Sequence, residues 1–295
     1  MDKKNANNPT IHYLDGIDIV YWINLDRAKD RKKNMEQLFT DPVFQGIETK
    51  RIQAYDAKKG NARSKFVLTP DMTSRNNFVT DTEYACLYSN LESIREFSQT
   101  TDKKVALILE DDVTLEYKKY WMKSIKTIIQ KAPKDWEIIK ICSSNQKLTK
   151  LYTLWKPWQE KQQMTDCGLT SGWLSNLGAY AYLINHKGAN KIIKELYHHH
   201  KYVVSNEYRH VADEMIYQIL KTYTYKYPYF TYSYNNNTYI ATQIKTLKSN
   251  YNLINKQIRL KKNKDMKYKT DTMYKKLFTK KHKTNKNKTR KHNTN

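Results

Sequence analysis

The sequence contains few of the residues that mark several classes of protein. Its 295 residues include only 7 glycines, 6 prolines and 3 cysteines. So little glycine and proline excludes collagen-like and low-complexity architectures. The cysteines are odd in number and have no CxxC spacing, which excludes a disulfide scaffold and a zinc ribbon. A reducing compartment is the simplest interpretation.

Long apolar runs are also missing. The longest apolar run without tyrosine is residues 105–109, whereas a membrane span needs roughly 20 residues. No apolar run follows the basic first residues, so no secretory signal is predicted. We therefore expect a cytoplasmic chain, either soluble or peripheral to a membrane. The bias towards Lys, Asn, Ile and Tyr is typical of an AT-rich genome, as in a giant virus or an AT-rich bacterium. A viral chain would occupy the host cytoplasm or the virion.

Positive charge is concentrated near the end of the sequence. There are 53 Lys and Arg against 29 Asp and Glu, which gives a net charge of +24. Residues 261–295 hold 14 Lys or Arg and 2 Asp, hence +12, half of the excess. We predict that residues 251–295 form a basic, disordered tail suited to contact an anionic membrane or nucleic acid. Residues 1–15 are predicted to be a flexible polar arm.

Strand and helix patterns alternate along the part of the chain between the arm and the tail. The predicted strands are residues 17–23, 50–54, 105–109, 137–142 and 177–184. Apolar residues at helical spacing follow most of them, and Thr80 with Glu83 forms a capping box before one such helix. The alternation predicts one α/β domain over 16–250, with a mainly parallel sheet flanked by helices. Residues 57–79 are predicted to form a long loop.

Three adjacent acids follow one of the buried strands. Ligands of open α/β sheets bind at the carboxyl ends of the strands, where Glu110, Asp111 and Asp112 are expected. Their mutual repulsion favours a divalent cation that bridges to phosphate groups. Residues i and i+2 of an extended backbone point the same way, so Glu110 and Asp112 are the predicted metal ligands. The alternative is a solvated loop.

A second polar group follows the first strand. Asn24, Asp26, Arg27 and Arg31 are suited to bind an anionic group at the start of a helix. The alternative is an N-cap by Asp26 with ordinary surface charge.

Further candidates lie in the second half of the chain. Asp213 and Glu214 start a predicted helix, where they could act as a general base or bind an acceptor, or simply complement the helix dipole. We interpret the run of three histidines that starts at His198 as surface, because consecutive residues diverge around a helix. Residues 145–172, rich in tryptophan, are either an acceptor-stacking loop or a hydrophobic lid.

Several of these motifs together resemble glycosyltransferase family 25, which includes bacterial lipopolysaccharide galactosyltransferases and collagen β-galactosyltransferases. The resembling blocks are residues 20–26 with Arg31, 51–56, 83–91 and 106–113, and a weaker block at 178–189 with Asp213 downstream. The resemblance implies a GT-A fold and a nucleotide-sugar donor, usually a UDP-hexose. It also implies Mn²⁺ or Mg²⁺ at Glu110 and Asp112, with Asp111 beside the donor.

The family is regarded as inverting, and an inverting transfer needs a carboxylate that deprotonates the acceptor hydroxyl. The resemblance points to Asp213 for this role, with Glu214 next. The expected reaction moves a hexose, galactose or glucose, to a hydroxyl acceptor on a glycan or glycoprotein, as in lipopolysaccharide or glycoprotein glycan synthesis.

Two rival functions remain open at this stage. The family usually has His where this chain has Asn90, and this departure favours a non-catalytic sugar-binding or structural descendant of the same fold. The net charge supports a nucleic-acid-binding protein instead, although half of that charge lies in residues 261–295.

Overall fold

A seven-stranded sheet forms the centre of the protein. The computed structural model describes residues 12–68, 76, 78–121, 123–142, 178–205, 207–225 and 228–233, and the backbone of 169–171. The strands are β1 (Ile19–Asn24), β2 (Glu48–Gln53), β3 (Phe66–Leu68), β4 (Val105–Glu110), β5 (Val113–Thr114), β6 (Ile138–Lys140), β7 (Leu169–Ser171), β8 (Ala181–Asn185), β9 (Tyr197–His198), β10 (Lys201–Val204), β11 (Thr222–Tyr225) and β12 (Thr231–Tyr232). The helices are α1 (Lys29–Phe39), α2 (Asp81–Ser98), α3 (Ile125–Gln130), α4 (His186–Leu196) and α5 (Ala212–Ile219).

The strand order of the central sheet is β2-β1-β4-β8-β6-β11-β7. Strands β2, β1, β4, β6 and β11 run in the same direction, whereas β8 and β7 run against their neighbours. The prediction of an α/β fold with a mainly parallel sheet flanked by helices is therefore confirmed. Two short sheets, β3-β10-β9 and β12-β5, complete the topology.

Both faces of the sheet are buried, which explains why β1 and β4 are almost continuously apolar. Ile19, Tyr21 and Ile23 of β1 face one core together with residues of α2, α4 and α5. Val20 and Trp22 face the other core, which includes residues of α1 and α3. Alternate side chains of one strand thus anchor two layers of helices.

Helix α2 begins at the predicted capping box. The Thr80 hydroxyl accepts a hydrogen bond from the Glu83 backbone N–H at 3.2 Å, and the Glu83 carboxylate accepts one from the Thr80 N–H at 2.8 Å. Both contacts satisfy amides that the first turn leaves without a helical partner.

One local difference from the sequence prediction affects the region around the core. The predicted loop at 57–79 contains a 3₁₀ turn (Ala62–Lys65) and β3, which pairs with β10. A three-residue strand with so distant a partner leaves little local signal.

Trp121 precedes α3, which starts after its cap, Ser124. The Trp121 ring stacks on Tyr229, with ring centroids 4.7 Å apart.

The ends of the predicted domain are only partly described. Residues that the sequence assigns to the polar arm pack on α3: the Tyr13 carbonyl accepts from the Ile125 N–H at 2.8 Å, and Leu14 is buried. The predicted basic tail, 251–295, and the tryptophan-rich segment, 145–172, fall outside the described side chains. Of the helices described, none combines the length and the apolar character needed to cross a membrane.

Candidate active site

The carboxyl ends of β1 and β4 lie side by side, because the two strands are parallel neighbours in which Ile23 pairs with Glu110. This register places the last residue of β1, Asn24, beside the acids that follow β4. The Asn24 side-chain amide donates to Asp111 Oδ2 at 2.6 Å. The structure thus joins two motifs that are far apart in the sequence.

Arg31 brings a cation to the same acids from α1. Its Nη1 donates to Asp111 Oδ1 at 2.6 Å and lies 3.4 Å from Asp112 Oδ2. Both oxygens of Asp111 therefore have protein partners. Asp111, which is predicted to lie beside the donor, is thus held by Asn24 and Arg31.

Arg51 is a site residue that the sequence reasoning missed. It lies on β2 opposite Trp22, and its Nε donates to Asn24 Oδ1 at 3.0 Å. Since the Asn24 amide nitrogen is engaged by Asp111, Arg51 fixes which way that amide points. The sequence feature that could have identified Arg51 is its position at the start of the 51–56 block.

Asp26 and Arg27 point away from the acids of β4. Asp26 accepts from Arg51 at 2.6 Å and from Gln53, and Arg27 pairs with Asp56 at 2.8 Å. They lie near a cleft of about 390 Å³ beside β2. The cleft residues are Asp26, Ile52, Gln53, Ala54, Tyr55, Asp56, Lys59, Tyr88, Glu92 and Glu96. The predicted anion-binding group is therefore split between two places.

Glu110 and Asp112 form the centre of negative charge. Burial raises the pKa of Glu110 to about 8, and the charges of Asp112, Asp111 and Asp213 add to the shift. Burial also raises the pKa of Asp112 to about 6, while the Arg31 cation opposes it. Asp112 Oδ1 is buried without a hydrogen-bond partner among the described residues. These carboxyl groups lack sufficient positive charge around them.

This environment fits a hard divalent cation. Carboxylate oxygens are its preferred ligands, and Mg²⁺ is commonly held by one or two carboxylates together with substrate phosphates. Across the described ranges, no three Asp, Glu, His or Cys side chains converge as a ligand set. Glu110 and Asp112 therefore fit as a two-carboxylate site that leaves positions for other oxygen ligands.

Asp213 and Glu214 diverge at the start of α5. Asp213 Oδ2 accepts from the Gly178 N–H at 2.8 Å, and the carboxylate is close enough to Glu110 to raise its pKa. Glu214 pairs with Arg209 at 3.0 Å, and that arginine also lies 3.7 Å from Glu83. Of the two predicted catalytic acids, Asp213 is the one that shares the neighbourhood of Glu110.

Helix α2 contributes Cys86, which contacts Glu110, and Asn90, which contacts Cys86. The Cys86 thiol donates to Glu110 Oε1 at 3.7 Å, and burial, with the Glu110 charge, raises its pKa well above the usual value. The thiol is therefore not activated as a nucleophile. The Asn90 amide donates to the Cys86 carbonyl at 3.1 Å and accepts from the Tyr182 hydroxyl at 3.1 Å.

The described hydrogen bonds of His198 and His210 are made with groups other than the acids of β4. His199 and His200 have φ of 48° and 63° and are exposed in the turn between β9 and β10, so the helix expected for them is not present. Their assignment to the surface agrees with this position. His210 is buried, contacting the Tyr84 hydroxyl at 2.8 Å and the Ser205 carbonyl at 3.0 Å.

Lys140 is a second residue that the sequence reasoning missed. It ends β6, its side chain has no exposed surface, and its Nζ lies 4.1 Å from the centre of the Tyr217 ring. The signal was a charged residue inside the otherwise apolar run at 138–142.

Comparison with known proteins places these motifs in one family. The model of the family described as "Glycosyltransferase family 25 (LPS biosynthesis protein)" matches residues 17–216, more than half of the chain. Procollagen galactosyltransferase 2 of Homo sapiens is 34% identical over 134 residues, and that of Mus musculus is 32% identical over 134 residues. Each alignment covers 43% of this chain and 21% of the relative. The matched part is thus about a fifth of the length of these relatives.

Two solved structures are similar to this chain at low identity. The galactosyltransferase LgtC, in complex with donor and acceptor sugar analogues, is 11% identical, with 60% of this chain and 63% of that chain covered and a TM-score of 0.28. Mouse xyloside xylosyltransferase 1, in its apo form, is 9% identical, with 60% and 55% covered and a TM-score of 0.25.

Proposed function

The chain belongs to glycosyltransferase family 25, and from this premise we propose that it is a metal-dependent, inverting hexosyltransferase with a GT-A fold. The observation that carries the proposal is the acidic centre at the end of β4. Glu110 and Asp112 have raised pKa values there, and Asp112 Oδ1 is buried without a partner among the described residues. A cation bound between donor phosphates and these carboxylates would relieve both conditions.

The proposed donor is a nucleotide-sugar, with UDP-galactose first and UDP-glucose next. The names of the human and mouse relatives support a galactosyl group. The cleft beside β2 offers Tyr55 and Asp26 as contacts for the nucleoside, while Arg31 and Asn24 contact the acids through Asp111. The proposed acceptor is a hydroxyl group on a glycan or glycoprotein.

Within this proposal each residue has a distinct role. Glu110 and Asp112 would hold Mn²⁺ or Mg²⁺, which supplies stabilisation of the departing diphosphate. Asp111 keeps Arg31 and Asn24 in place beside them. Asp213 is the proposed general base that takes the proton of the acceptor hydroxyl as it attacks the anomeric carbon.

The direct test is Asp112→Asn, which keeps the shape of the side chain and removes its charge. We expect Mn²⁺-dependent binding of UDP, measured by calorimetry, to be lost while the circular dichroism spectrum is unchanged. Glu36→Gln is the matched control, because Glu36 is an exposed acid of α1 that pairs with Lys32 at 3.8 Å. Unchanged Mn²⁺-dependent UDP binding in Asp112→Asn contradicts the proposed metal site.

Asn90 supports a second candidate, a sugar-binding descendant without catalysis. Its amide is committed to Cys86 and Tyr182 and cannot accept a proton. Hydrolysis of the donor requires no acceptor, so a screen of UDP- and GDP-sugars with Mn²⁺ separates the two candidates. Binding of a donor with neither hydrolysis nor transfer favours the second.

A further inference from the structure

Lys140 is a buried lysine near the candidate active site, and the roles proposed for the site residues do not explain it. Lys140 pairs in register with Tyr182 of β8, which pairs in turn with Ile108 of β4. Its side chain lies on the same face as Ile138, two residues earlier, and Ile108, Ile138 and Tyr182 all belong to the core under α2 and α5. Lys140 therefore lies on the face of the sheet from which Glu110 projects.

The neighbours of Lys140 connect it to Asp213. Its ammonium group lies 4.1 Å from the centre of the Tyr217 ring, and Tyr217 is one helical turn after Asp213 on α5, so both occupy one helix face. The two residues also bind the same glycine, Gly178, through its N–H and its carbonyl respectively. Asp213 accepts from the Gly178 N–H at 2.8 Å, and the Tyr217 hydroxyl donates to the Gly178 carbonyl at 3.3 Å.

The charges of the site are distributed on two sides of the acids. Arg31 contacts Asp111 and Asp112 from the side of α1. On the α5 side, Lys140 is buried close to Asp213, whose charge is among those that favour its protonated form. Burial lowers the pKa of Lys140 to about 8, so the ammonium ion still predominates at neutral pH.

We propose that Lys140 is a positioning residue for the transfer reaction: its buried ammonium group, held over the Tyr217 ring of α5, keeps the Asp213 carboxylate directed at the acceptor. This inference rests on the proposed function and on Asp213 as its general base. It assigns to β6 a role that the acids of β4 cannot fill, since a carboxyl group cannot carry a positive charge.

The stability and the activity of a Lys140 variant report two different properties. Removal of one of two buried opposite charges costs stability, because the other charge is left uncompensated. Lys140→Met should therefore lower the melting temperature. A purely structural lysine would change stability alone, whereas a lysine that positions Asp213 also lowers kcat at a temperature at which the variant is fully folded.

The experiment is a double-mutant cycle with Lys140→Met, Asp213→Asn and the combined variant. We expect Lys140→Met to lower kcat by at least about tenfold, within the range of base catalysis, with the donor KM within about twofold. The combined variant should be no slower than Asp213→Asn alone, because Lys140 acts only through Asp213. Lys191→Met is the control, since Lys191 pairs with the buried Glu137 at 3.3 Å, away from the acids.

Several results would overturn the inference. One is a kcat of Lys140→Met within twofold of the wild type. Another is a kcat of the combined variant that falls by the product of the losses of the two single variants. Lys140→Gln, which removes the charge and keeps a polar end, is measured alongside, and failure of both variants to fold shows a structural role instead. A wild-type protein that turns over no sugar nucleotide contradicts the proposed function itself. If the wild type and Lys140→Met are both active, only the role of Lys140 is contradicted, and the proposed function stands.

Discussion

Both polar atoms of the Asn24 side chain make hydrogen bonds. Its amide nitrogen donates to Asp111 and its carbonyl oxygen accepts from Arg51, so neither a carboxylate nor an apolar side chain could replace it without leaving a buried group unpaired. The cost of such an orphaned group is about 1–3 kcal/mol. The side chain therefore locks β1, β2 and the acids of β4 into one geometry.

Asp213 permits a prediction at the scale of one residue. Asp213→Asn preserves shape and removes basicity, so turnover should fall about 10²- to 10⁴-fold, the usual contribution of a general base. Donor affinity should hardly change, because the proposed donor site is at the acids of β4. Steady-state kinetics with calorimetry of UDP binding checks both. A loss of turnover smaller than about tenfold, or a loss of donor binding instead, would redirect the search to Glu214.

The sequence identifies some residues of the site and not others for a physical reason. Glu110, Asp111 and Asp112 are adjacent and end an apolar run, so their grouping is visible without a structure. Arg51 and Lys140 depend on strand register and on which face of the sheet each residue occupies. Neither property is fixed by local sequence, since a shift of one residue moves a side chain to the opposite face.

The sequence likewise predicts some of the strands and not others. Strands β1 and β4 were predictable because both faces are buried and their sequences are continuously apolar. The direction of β8 was not, because a buried strand has the same composition whether it runs parallel or antiparallel to its neighbours. Strand β3 was not predicted, because its few residues pair with β10, which is far along the chain.

Helix α2 offers a prediction at the scale of one element. Thr80→Ala removes the side-chain acceptor for the Glu83 N–H and should lower the free energy of unfolding by about 1 kcal/mol. Thr80→Ser retains the hydroxyl and should lose much less. Urea denaturation of the three proteins at equal pH measures the difference. Equal midpoints for Thr80→Ala and the wild type would mean that the cap adds no stability.

At the scale of the molecule, the sequence predicts that positive charge and stability belong to different parts of the chain. Residues 263–295 contain no periodic apolar face, so we expect a protein that ends at Lys262 to retain its core. Its melting temperature should stay within about 4 °C of that of the full chain, a shift equivalent to roughly 1 kcal/mol. Calorimetry of both proteins tests this, and a larger drop would assign the segment a part in the fold.

The position of β8 has a consequence for the order of assembly. During synthesis β4 and β6 emerge first, and each would present an open apolar edge until the strand that separates them is made. Such edges are sites of misassembly and of chaperone binding. Because the Glu110 N–H donates to the Tyr180 carbonyl just before β8, the acidic centre is incomplete until the same event. A nascent chain therefore closes these two edges and fixes the backbone of Glu110 in a single step, before Asp213 has been made.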